Sequence, residues 1–229
     1  MKNNFLVDAD ETLLDFVRSS KESLAAAMQA VSLPYREEMY AVYRTVNDSL
    51  WKKLERGEIT KPQLHQVRFR AFFDALGIGG DDCKAGEVYF ATLCRTGYLL
   101  PGAEDFIRAL KKRGRVFLIT NGTPEAQYGR LDSCGARTLF DGIFVSDEIG
   151  AAKPSPLFFE AALKSAGAEK SDCIVIGDSL TSDILGAKNA GIISIWYNPR
   201  GLPAEGILPD YAVLDYGGIL SILDSLAAG

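Results

Sequence analysis

Short apolar runs recur along the chain at Phe5 to Val7, Val116 to Ile119, Ile143 to Val145, Cys173 to Ile176 and Ile192 to Trp196. Unbroken runs of this length predict strands buried in a core. Between them the apolar positions return at helical spacing: Ala103 to Lys112, closed by Gly114; Glu125 to Ser133, closed by Gly135; Pro156 to Ala166, with Ser155 as N-cap and Gly167 as the stop; and Ser182 to Asn189, closed by Gly191. Strand and helix alternate, which predicts an α/β fold built on a Rossmann-like, doubly wound parallel sheet.

From about Phe16 to Arg95 that alternation fails. The pattern there gives consecutive amphipathic helices over Ser19 to Ala30, Arg36 to Glu55, Lys61 to Leu76 and Lys84 to Cys94, punctuated by Pro34, Gly57 and the stretch Gly77 to Gly80. An all-helical domain is therefore expected at residues 16–96, inserted immediately after the first strand, with residues 1–15 and 97–229 forming the core. The entry linker falls near Leu14 to Val17 and the return linker at Thr96 to Gly102, and no internal repeat or low-complexity tract is found.

Composition narrows the class. With 229 residues, 47% hydrophobic and 24% charged, the chain suits a globular core with a smaller companion domain. A net charge of −5 argues against a nucleic-acid polymer as partner, since backbone phosphates are bound by clustered Lys and Arg. The four cysteines form no C-x-x-C pair and are expected as reduced thiols, while the single histidine, His65, sits in an amphipathic helix rather than in a zinc site. No apolar stretch reaches membrane-spanning length, and the few apolar residues before Asp8 are too short for a signal peptide, so a cytoplasmic protein without membrane association is expected. Nothing in the pattern speaks to oligomeric state.

The chemistry lies at the ends of the strands. In open parallel sheets ligands bind beyond the carboxyl ends of the strands, so residues distant in sequence converge there. After the first strand comes Asp8-Ala-Asp-Glu-Thr12, two carboxylates spaced so that one can attack and the other shuttle a proton. Thr120-Asn121-Gly122 offers a hydroxyl and main-chain N–H groups able to cradle phosphate oxygens. Lys153 precedes Pro154 after an acidic stretch, where an ammonium can neutralise a phosphoryl group. Gly177-Asp178 through Asp183 adds carboxylates suited to magnesium, a hard cation that bridges protein oxygens to phosphate. Each signal alone reads equally well as a turn, an exposed loop lysine or a helix start; their order and shared placement select the chemical reading.

Asp8, Asp10, Thr120, Lys153, Asp178 and Asp183 together resemble the motifs of the haloacid dehalogenase superfamily, most of whose members are phosphohydrolases, and the helical insertion looks like that family's cap. The resemblance implies that Asp8 is the nucleophile and Asp10 the acid that protonates the leaving oxygen and then activates water. It implies that Thr120 and the following main chain of Asn121 and Gly122 hold the phosphoryl group and that Lys153 balances its charge. A magnesium cofactor would be held by the Asp8 carboxylate, the Asp10 carbonyl and Asp178, with Asp183 positioning a ligand or binding through water. Cap closure would exclude water from the crevice.

Glu11 stands where many family members carry glycine, and the D-A-D-E-T form is similar to the nucleotidase branch that dephosphorylates nucleoside monophosphates. Asn47, Trp51 and Arg68 in the helical domain are the candidate contacts to base or sugar of a small phosphate ester; Trp51 reads equally as cap core. The same core motifs serve phosphatases of sugar phosphates or phosphoglycolate and phosphomutases, so substrate choice is left to the cap. A dehalogenase, which needs neither an acid at Asp10 nor a magnesium cluster, and a non-catalytic binding module fit less well.

Overall fold

The computed structural model describes residues 2–228. It divides into two compact units, one formed by the residues up to Asp15 and from Tyr98 onward, the other by Phe16–Gly97.

The chain opens with β1 (Asn4–Asp8) and passes into the four helices of the second unit, α1 (Phe16–Ala30), α2 (Glu38–Glu55), α3 (Lys61–Leu76) and α4 (Asp82–Leu93). It then returns through α5 (Ala103–Lys111), β2 (Arg115–Thr120), α6 (Pro124–Ser133), β3 (Gly142–Val145), α7 (Ser146–Ile149), α8 (Pro156–Ala166) and β4 (Cys173–Gly177). A π-helical turn at Leu180–Ile184 runs into α9 (Leu185–Ala190), followed by β5 (Ile193–Tyr197), β6 (Tyr211–Val213) and α10 (Tyr216–Ala228). No helix among the described residues is long and apolar enough to cross a membrane.

The six strands form one parallel sheet in the order β3-β2-β1-β4-β5-β6. The chain winds outward from β1 in one direction and from β4 in the other, so the β1–β4 boundary is the point where strand order reverses and a crevice opens. Register brings the functional ends level: Asp8 lies beside Ile119, one residue before Thr120, and Val7 lies beside Ile176, two residues before Asp178.

Alternation along the central strands feeds two apolar layers. Phe5, Val7, Val116, Leu118, Ile174 and Ile176 pack against Phe106, Ile107 and Leu110 of α5, Leu131 of α6, and Ile219 and Leu223 of α10. Leu6, Phe117, Ile119 and Val175 face Phe158 and Phe159 of α8 and Ala187 of α9. Burial of each such side chain contributes about 1.5–3 kcal/mol. β1 is thus covered on both faces and hydrogen-bonded along both edges, a rigid base for Asp8. At the other end of the chain, Tyr216 stacks between Phe106 (ring centroids 4.4 Å apart) and Tyr197 (5.0 Å) and donates its hydroxyl to the Thr12 carbonyl at 2.7 Å.

In the second unit α1 packs on α4 and α2 on α3 around an aromatic cluster of Tyr43, Phe69, Phe72, Phe73 and Tyr89. Thr60 and Gln63 form a capping box that starts α3, and Gly77 ends it in the left-handed conformation at φ 65°, which glycine adopts without a Cβ clash. Asp81 caps α4 by accepting from the Lys84 N–H at 2.9 Å.

Each of the five strands predicted from the pattern forms within one residue of its expected ends. β6, α10 and the short α7 were not expected, and the helix expected from Ser182 instead begins as the π-helical turn. The wider turn lets Asp183 fold back so that its carboxylate accepts from the Ser179 N–H at 3.1 Å.

Candidate active site

Lys153 is the hub of the crevice. Its Nζ donates to Asp8 Oδ1 at 2.5 Å and to Asp183 Oδ1 at 2.7 Å, with a third, longer contact to the Ile119 carbonyl at 3.4 Å. Asp8, Lys153 and Asp183 are 7%, 2% and 0% exposed, so these are buried charges that must be paired to persist. Lys153 owes its place to Asn121, whose side-chain amide donates to the Lys153 carbonyl at 2.8 Å and whose Oδ1 accepts from the Lys153 N–H at 2.9 Å. The Asn121 side chain is thereby committed to Lys153, and the contact expected of Asn121 is one of its main chain.

Asp183 depends on a glycine. A Cβ at Gly177 would collide with the Asp183 carboxylate, so the last residue of β4 must be the smallest one. Carboxylate oxygens of Asp8, Asp178 and Asp183 all lie within 4.8 Å of one another. Trp196 Nε1 donates to the Asp178 carbonyl at 2.8 Å, fixing that residue's main chain from β5.

Three clustered carboxylates against one ammonium leave the crevice over-supplied with negative charge. Burial pushes the Asp8 carboxyl up to about 7, Asp183 adds to the rise, and Lys153 opposes it. Burial raises Asp178 as well, helped by Asp8 and Asp183. Burial alone would lower Lys153, yet Asp183 and Asp8 hold it above the ordinary lysine range, so it stays an ammonium. An all-oxygen donor set with surplus negative charge fits a hard divalent cation such as magnesium.

The turn after β2 folds on itself, with the Gly122 N–H donating to Thr120 Oγ1 at 3.0 Å. Asp10 lies on the turn after β1, where Glu11 takes a left-handed φ of 60°. That conformation is natural for glycine and uncommon for glutamate, which gives the glycine-for-Glu11 difference a physical meaning. Sequence reasoning missed two partners of Asp10: Arg130 Nη1 donates to its Oδ1 and Gln127 Nε2 to its Oδ2, the latter at 2.8 Å. The two lie three residues apart on α6, a spacing that sets them on one helix face without telling which way that face turns.

In the helical unit, Asn47 and Arg68 are buried at 4% exposure each and meet, Arg68 Nη1 donating to Asn47 Oδ1 at 3.4 Å. Trp51 is half-buried one turn further along α2. His65 packs edge-on to Phe90, with ring centroids 5.3 Å apart.

Comparison with known proteins follows the same lines. The chain is 35% identical over 222 residues to the pyrimidine 5'-nucleotidase PynA of Streptococcus pneumoniae, covering 96% of this chain and 94% of that one. It is 35% identical to the pyrimidine 5'-nucleotidase YjjG of Escherichia coli over 90% of this chain and 91% of that one. The crystal structure of the HAD-hydrolase YfnB of Bacillus subtilis, described as bound to magnesium and as revealing interdomain movement, superposes with a TM-score of 0.90 at 31% identity, covering 97% of this chain and 98% of that one. The family model for haloacid dehalogenase-like hydrolases matches residues 3–191, and with the strand-end carboxylates, Thr120 and Lys153 in place the chain belongs to that family of hydrolases.

Proposed function

We propose that this hydrolase is a magnesium-dependent phosphatase that cleaves nucleoside 5'-monophosphates, pyrimidine ones foremost, through an aspartyl-phosphate on Asp8. The observation that carries the reading is the Lys153 ammonium bridging Asp8 and Asp183 at the point where strand order reverses, with Asp178 in the same cluster. The preference for pyrimidine nucleotides rests on the names of the two relatives at 35% identity.

Asp8 Oδ attacks phosphorus as the ester P–O bond breaks, and Asp10 gives its proton to the departing oxygen. Asp10, now a carboxylate, takes a proton from water as the water oxygen bonds to phosphorus and the Asp8–phosphorus bond breaks. Thr120 and the main-chain N–H groups after it hold phosphoryl oxygens, and Lys153 offsets their charge. Asp8, Asp178 and the Asp10 carbonyl would hold a magnesium ion, with Asp183 positioning a ligand or acting through water, and the ion would supply the charge neutralisation that lets an anionic carboxylate meet an anionic phosphate. Asn47, Trp51 and Arg68 are the proposed contacts to the nucleoside.

Phosphate release measured across pyrimidine and purine nucleoside monophosphates, sugar phosphates and phosphoglycolate, with and without magnesium, tests the proposal. Pyrimidine nucleotides should be fastest and chelation should abolish turnover. Asp8→Asn should lower kcat by on the order of 10³-fold or more. Full turnover by that variant would remove the nucleophile, and sugar phosphates outpacing nucleotides would move the substrate class.

A further inference from the structure

Both carboxylate oxygens of Asp10 are taken by one helix. Arg130 holds Oδ1 and Gln127 holds Oδ2, and these donors sit three residues apart on α6, hence on one face of it. They are 1% and 2% exposed, whereas the Asp10 side chain keeps 33% of its surface open. An aspartate turns about two single bonds; anchoring each oxygen to a separate rigid donor fixes both. The carboxyl group has lone pairs enough to keep both donors and still carry a proton on its open side.

The same helix starts from the Thr120-Asn121-Gly122 turn. A Cβ at Gly122 would run into the Gln127 amide, so the turn and the anchor are packed directly together. One element therefore sets the distance between the group that cradles phosphoryl oxygens and the group that moves the proton.

We infer that Arg130 and Gln127 are positioning residues for proton transfer by Asp10, holding its carboxyl group for delivery to the leaving oxygen and for removal of a proton from water. The inference rests on the role given to Asp10 under the function proposed. It adds a requirement that the known strand-end residues do not carry: a Q-x-x-R pair on the helix after the phosphate turn.

The test compares wild type, Arg130→Met and Gln127→Leu on two esters. A nucleoside 5'-monophosphate has an alkoxide leaving group that needs a proton, whereas p-nitrophenyl phosphate releases a phenolate that needs none. With the nucleotide, Arg130→Met should lower kcat by about 10²-fold and Gln127→Leu by about 10-fold, within the range that general acid–base catalysis contributes. With p-nitrophenyl phosphate in a rapid-mixing experiment, Arg130→Met should still release one equivalent of nitrophenolate per enzyme near the wild-type rate, then slow, because Asp8 attacks normally while water is poorly activated. Should Arg130→Met fail to fold in a thermal melt, the smaller, uncharged Gln127→Leu change carries the same comparison. A burst that falls in proportion to nucleotide turnover would mark these residues as supports of the fold and overturn the inference. An active wild type beside variants of unchanged rate overturns it too, leaving the function proposed intact, whereas a wild type that releases phosphate from neither ester overturns both.

Discussion

Each unit of the molecule buries an arginine, and the two are held in opposite ways. Arg130, on α6 of the sheet unit, faces the carboxylate of Asp10. Arg68, on α3 of the helical unit, meets a neutral amide at 3.4 Å and lies over the Tyr89 ring with its guanidinium carbon 4.7 Å from the centroid, flanked by Tyr43 and Phe69 at 6.0 Å. Its buried Nε has no hydrogen-bond partner among the described residues. The first cation is neutralised from within the chain, so its energy goes into holding Asp10. The second is stabilised by ring faces and one long hydrogen bond.

The contrast is sharpest where a counter-ion is removed. Asp10→Ala strands Arg130, and the variant should lose about 3 kcal/mol of unfolding free energy in urea titrations, the low end for breaking a buried pair because Asp10 is partly exposed. A loss below about 1 kcal/mol would show that Arg130 needs no carboxylate and would erase the difference between the two sites.

The second way to probe it is pH. Asp8 is held near 7 in the fold against 3.8 in the open chain, so between those values the folded state binds a proton that the unfolded state does not. Stability of the metal-free protein should therefore rise as pH falls from 7 toward 4, by up to about 1.4 kcal/mol per unit. Above pH 7 this proton is gone from both states and the slope from Asp8 vanishes. Saturating magnesium should stabilise the protein more at pH 8 than at pH 5, since the cation and the proton compete for the same carboxylates. Identical stabilisation at both values would contradict the surplus of charge inferred for the crevice.

The smallest effect is expected in the helical unit. Arg68→Met replaces a cation by a flexible apolar side chain among aromatic rings, and stability should change by less than about 1 kcal/mol. KM for a nucleotide should nevertheless rise about tenfold with kcat nearly unchanged, the signature of a lost binding contact. A kcat effect without a KM effect would place Arg68 outside substrate binding.

How far these features were legible from sequence depended on what each residue's pattern encodes. Central strands announced themselves because burial on both faces leaves unbroken runs such as Cys173 to Ile176. β6 did not, because Tyr211–Val213 is a three-residue edge strand with half-exposed ends. α10 was missed although Ile219, Ile222, Leu223 and Leu226 carry helical spacing, so that signal was present and unread. Asp8, Lys153 and Asp183 were legible as strand-end chemistry, and their mutual contacts followed from topology. The committed side chain of Asn121 and the buried Gln127 and Arg130 were not, since residue type says nothing of which polar groups a helix turns inward. Asp183 was found, but the π-helical turn that carries it inward needs coordinates.

Tyr216 joins two stretches that lie far apart in sequence. The hydroxyl that grips the Thr12 carbonyl, in the turn that carries Asp8 and Asp10, belongs to a residue 204 positions later. A substitution at Tyr216 therefore reaches the reactive turn from α10 directly, across the whole span of sequence that separates that helix from β1.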